Sequence, residues 1–66
     1  MEINFEKLGS IRRSLKYTQK EVASVVGVSR HIWSRKERGL ITITLLEASK
    51  VAQMFNMTID EIFFGE

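Results

Sequence analysis

The stretch TQKEVASVVGVSRHIWSRKERG, from Thr18 to Gly39, decides the fold. Thr18 and Glu21 stand three residues apart, the spacing of a capping box in which each side chain satisfies a backbone N–H of the other at a helix start. Val22, Ala23 and Val26 follow at helical spacing on one face, and the run is cut at Gly27, the residue type best able to take a positive φ. Ser29 is a good N-cap, and from Arg30 no breaker occurs until Gly39, where a C-terminal glycine belongs. Two helices, about Gln19 to Val26 and about Arg30 to Arg38, are therefore expected with only Gly27, Val28 and Ser29 between them.

A helix, a short glycine-containing turn and a second helix describe a helix-turn-helix, whose second helix is of a kind that enters a DNA major groove. The flanks read as its support. A first helix is expected from an N-cap at Asn4 to about Lys16 or Tyr17, with Phe5, Leu8, Ile11 and Leu15 as its apolar stripe and Gly9 facing outward. Arg12, Arg13 and Lys16 gather at its C-terminal end, where cations complement the helix dipole. After Gly39, Leu40 to Ile43 (LITI) read as a loop. Thr44 with Glu47 opens a fourth helix through about Phe55, with Leu45, Ala48, Val51, Ala52 and Phe55 on its buried side and Asn56 just beyond its end. Thr58 with Glu61 opens a short fifth containing Ile59, Ile62 and Phe63. The expectation is an all-α fold of five helices forming one domain over residues 1–66.

With 66 residues and 44% hydrophobic content, a chain of this size buries only roughly 60% of its unfolded surface. There is no cysteine, hence no disulfide framework and no thiolate metal site. No apolar run approaches the roughly 20 residues that span a bilayer, and MEINFEK lacks a signal-peptide layout, so a cytoplasmic protein with no membrane partner is expected. The net charge of +2 says little, but its distribution says more. Residues 1–29 carry five basic and three acidic side chains, residues 30–38 four and one, and residues 39–66 one and four. The second helix of the motif is the positive pole.

In this order and spacing, IR at 11–12, TQKEVA at 18–23, GVS at 27–29, ERG at 37–39, KVAQMF at 50–55 and MTIDEIF at 57–63 make the chain resemble the phage-repressor and Cro type of helix-turn-helix regulators, the Xre family. The resemblance spans nearly all 66 residues. It implies a compact lambda-repressor-like DNA-binding domain, bacterial or phage-encoded, acting as a small transcriptional regulator, a repressor by simplest consequence. Ala23, Gly27, Val28 and Trp33 read as fold residues: a small side chain where the motif helices cross, a turn, and two core contacts beneath them.

Arg30, His31, Ser34 and Arg35 are left on the opposite face of the second motif helix and are the expected base contacts. An arginine fork spans guanine O6 and N7, and His31 donates to or accepts from a base according to its tautomer. Gln19 resembles a family glutamine that bonds a phosphate at a helix N-terminus, and Lys20, Arg13, Lys36 and Arg38 join it as expected phosphate contacts. Arg12 and Glu37 resemble the family's buried ion pair. A homodimer on a pseudo-palindromic double-stranded operator follows, since one module buries little and two recognition helices must lie about 34 Å apart.

Two departures from the family leave alternatives open. Lys36 stands where an apolar or aromatic residue is usual: either its stem covers the core while the ammonium reaches out, or the helix is rotated. The LITI loop lacks the usual cations, so Leu40, Ile41 and Ile43 either pack on the fourth helix or make a subunit contact. The rival reading is a protein-interaction module, the antitoxin half of a toxin-antitoxin pair or a sequestering regulator, using LITI and the terminal IFF at 62–64. An enzyme is not expected: one histidine, no cysteine and no glycine-rich phosphate loop leave catalysis without parts, and no cofactor or metal is implied.

Overall fold

The computed structural model describes residues 3–64. It contains α1 (Phe5–Ser14), α2 (Gln19–Val26), α3 (Arg30–Glu37), α4 (Leu45–Phe55) and α5 (Asp60–Phe64), the last wound as a π-helix, and among the described residues there is no strand. The starts are set locally. Asn4 accepts from the N–H of Lys7 at 2.9 Å, and Ser29 from that of Ile32 at 3.1 Å. All three capping boxes form: Thr18 with Glu21, Thr44 with Glu47, and Thr58 with Glu61.

The ends share one device. Lys16, Gly27, Gly39 and Asn56 take positive φ values of 67, 92, 80 and 55°, each closing the helix before it. The following N–H reaches back five residues in every case: Tyr17 to Arg12, Val28 to Ala23, Leu40 to Arg35 and Met57 to Ala52. The first helix, expected to run to about Lys16 or Tyr17, stops at Ser14, and Lys16 takes a left-handed conformation that is costly for lysine. Likewise α3 stops at Glu37, and Arg38 only caps it.

Leu8, Val22, Trp33, Val51 and Ile62 are wholly buried, one from each helix, and Phe55 and Phe63 complete the centre. Such side chains contribute about 1.5–3 kcal/mol each, against about 1 for a cap, so packing rather than capping holds the helices at their angles. Within it α2 packs on α3 and α4, while α1 packs on α3 and α5. The ring of Tyr17 stacks on Phe55 with centroids 5.7 Å apart. The N–H of Asn4 donates to the Phe63 carbonyl at 2.8 Å, joining the first and last elements.

Three expectations are corrected by the packing. Gly9 does not face outward: it is buried, and a Cβ built on it would lie 2.9 Å from Glu37 Oε1. Leu45, placed on the buried side of α4, is 77% exposed, and Leu15, placed on the apolar stripe of α1, is also exposed. Leu45 is the first residue of α4 and Leu15 the C-cap just past α1, positions at which a helix has only one turn beside it to cover a side chain. In the LITI loop Ile43 packs against the core, whereas Leu40 stands 66% exposed.

Candidate nucleic-acid interface

The orientation of α3 rests on Glu37. Its carboxylate accepts from Arg12 Nε at 3.0 and 3.1 Å and from the indole Nε1 of Trp33 at 2.8 Å, while Arg12 Nη1 donates to the Tyr17 carbonyl at 2.9 Å. A buried carboxylate without partners is strongly unfavourable, so a shift of α1 against α3 that broke these bonds would be costly. Gly9 supplies the room the carboxylate occupies. The Arg12–Glu37 pair is the one the family resemblance implied; the indole donor was not expected, although Trp33 and Glu37 stand at helical i, i+4 spacing.

With Trp33 turned inward, Arg30, His31 and Arg35 are exposed along α3, and Ser34 is half-buried. The Ser34 carbonyl accepts from Arg38 Nε at 3.3 Å, which folds the Arg38 side chain back along its own helix. Three long donors and a hydroxyl thus stand on one side of a short, rigid rod.

A shallow groove beside this face is lined by Arg13, Lys16, Gln19, Lys20 and Arg30, with Arg12 and Tyr17 behind them. It lies at the start of α2, where the N–H groups of Gln19 and Lys20 have no intrahelical acceptor. The fold thereby brings Arg13, Gln19 and Lys20 together with Arg30. Lys16 joins them and was missed as a site residue; its left-handed conformation carries it into the turn, and the only signal was its place among four cations between residues 12 and 20. Arg38 is not in this groove. It lines another with Phe5, Glu6 and Arg13.

Lys36 is the correction within the set. Expected as a phosphate contact, it is only 7% exposed, and its ammonium donates to the Thr42 carbonyl at 2.7 Å and to Glu47 Oε1 at 3.0 Å. The physical reason is that Glu47, held in its own capping box, aims a carboxylate at the inward side of α3, and a buried cation takes that partner in preference to a distant phosphate. Burial raises the Glu47 pKa, but hydrogen bonds from Thr44 and Lys36 and the attraction of the ammonium outweigh it, leaving the group below its ordinary value.

Among the described residues no group of three or more His, Cys, Asp or Glu side chains converges as a metal site would require, and no helix is long and apolar enough to cross a membrane. The chain is similar over 97% of its length to a transcriptional regulator from Listeria innocua, with a TM-score of 0.86 at 17% identity, and it spans 61% of that chain. That likeness is one of fold. No curated protein shows a significant match. The helix-turn-helix family matches residues 8–62, a span that runs from Leu8 in α1 to Ile62 in α5 and takes in the whole of α2, α3 and α4. The chain belongs to the Xre or lambda-repressor-like helix-turn-helix family of DNA-binding transcription regulators.

Proposed function

We propose that this protein binds double-stranded DNA sequence-specifically as a homodimer, laying α3 in the major groove and repressing transcription by occluding a promoter. The observation that carries the reading is the exposed set Arg30, His31 and Arg35 on α3, next to a cationic groove at the N-terminus of α2. The two parts have different duties. Donors on α3 read base edges, while Arg13, Gln19, Lys20 and the first N–H groups of α2 grip a phosphate and set the register. Arg38 supplies a further phosphate contact from the end of α3. The buried Glu37 cluster matters because a tilt of α3 would displace every donor from its base together.

Selection of bound sequences from a random duplex pool tests this directly. The expected product is a pseudo-palindrome with half-site centres one helical turn, about 34 Å, apart. Recovery of no preferred sequence would overturn specific binding.

A second reading is favoured by one observation. Ile43 of the LITI loop and Phe63 and Phe64 of the terminal run, the segments expected to serve a protein-interaction module, line a single apolar groove. An antitoxin or sequestering regulator would use it, and an unrelated protein that co-purifies stoichiometrically and is lost on Ile43→Glu would support that reading.

A further inference from the structure

We infer that each half-site this protein reads presents at least two guanines in the major groove, one accepting from Arg30 and the other from Arg35. The inference rests on the DNA-binding reading and adds to it the identity of the bases. It follows from what the exposed side of α3 carries and from what it lacks.

Adenine is read by a side chain that aligns a donor with an acceptor, as an amide does, and cytosine by an acceptor set against its amino group. The helix RHIWSRKE has no asparagine, glutamine or aspartate, and its one carboxylate, Glu37, is buried with both oxygens taken by Arg12 and Trp33. A thymine methyl calls for an apolar side chain, but Trp33 is buried and Ile32 half-buried. Guanine alone sets two acceptors, O6 and N7, side by side, and a guanidinium answers them with two parallel donors.

Both forks are available for that purpose. Arg12 is held by Glu37 and the Tyr17 carbonyl, Arg38 by the Ser34 carbonyl, and Lys36 by Thr42 and Glu47. Among the described residues Arg30 and Arg35 have neither an ion pair nor a side-chain hydrogen bond. At about 100° per residue, they stand at the two edges of a stripe whose middle is His31 and Ser34. A rise of about 1.5 Å per residue separates them along the axis by about 7–8 Å, so the guanines they reach lie within about two base steps of about 3.4 Å. His31 and Ser34 each present a single group to any one base edge and therefore discriminate less.

The test takes the site selected by the full chain from a random duplex pool and remakes it with single guanines replaced by 7-deazaguanine, which lacks N7, or by inosine, which keeps N7 and O6. The expected half-site holds two guanines within about two base steps, at each of which 7-deazaguanine weakens binding on the order of tenfold and inosine leaves it unchanged. Arg35→Ala should abolish the 7-deazaguanine effect at one of these positions and Arg30→Ala at the other; both residues are exposed, so helical circular dichroism should be unaltered. A selected half-site without two such guanines overturns the inference and leaves sequence-specific binding standing. So does a 7-deazaguanine effect that is absent, matched by inosine, or undiminished in both arginine variants. Failure of every duplex in the pool to bind overturns the DNA reading itself, and the inference with it.

Discussion

Glu37 shows how a single side chain decides what its helix presents. Its oxygens take donors from Arg12 on α1 and from Trp33 one turn earlier, and the space it fills exists because residue 9 has no Cβ. Gly9→Ala is therefore expected to destabilise by about 1–3 kcal/mol through overpacking, although alanine is the better helix former. A lowered urea midpoint with unchanged m-value checks it, and a gain in stability would show that Glu37 has room to move. On the opposite face of α3 the expectation is different in kind. Arg30→Ala or Arg35→Ala should leave stability nearly untouched and weaken specific binding by about 1–3 kcal/mol, with a smaller loss on random DNA. Equal losses on both in a competition shift assay would reassign that arginine to a phosphate.

At the scale of elements, the junction of α3 with α4 is clamped by Lys36 and Glu47, and both consequences of the clamp are measurable. Lys36→Met keeps the stem that covers the core and removes the ammonium, so it isolates the polar contacts; a loss of about 1 kcal/mol is expected. The pH dependence follows from the lowered Glu47 pKa. Because the folded value lies below the ordinary 4.5, the contribution of this carboxylate is fully present above that pH and is lost as pH falls through the folded value. Thermal midpoints measured from neutral pH downward should therefore decline below about 4.5, and Glu47→Gln should flatten part of that decline, as should Lys36→Met. The same junction shows what was legible in the sequence. Capping boxes depend on residues three apart and were all readable, as were α2, the start of α3 and α4. The partner of Lys36 lies 11 residues away across a turn, and the atom that fills the space at Gly9 belongs to a residue in another helix, so neither local propensity nor periodicity contains them. Leu45 misled for the complementary reason: it lies on the periodic stripe of α4, yet periodicity does not say how much of each stripe position the rest of the fold covers. For the site, the residues on α3 followed from Trp33 facing inward, while Lys16 depended on a backbone conformation lysine rarely adopts.

For the whole molecule the relevant quantity is where its modest net charge of +2 is placed. Residues 39–66 carry one basic and four acidic side chains, and the cations gather on α3 and around the start of α2. A domain with this asymmetry is steered toward a polyanion by one face, and its affinity depends on the counterions that face releases. Log affinity is expected to fall linearly with log salt, with a slope of about −0.9 for each phosphate neutralised. Individual lysines divide the effect. Lys20→Gln and Lys16→Gln should each reduce the slope by about 0.9 per contact removed, alike on specific and random duplexes. Lys36→Met should leave the slope unchanged, because that ammonium is already neutralised within the fold by Glu47 and Thr42. A slope that changes with Lys36 but not with Lys20 would mean that the clamp opens on DNA and releases its cation to the backbone. A flat salt dependence in the parent protein would remove the electrostatic basis of DNA binding altogether.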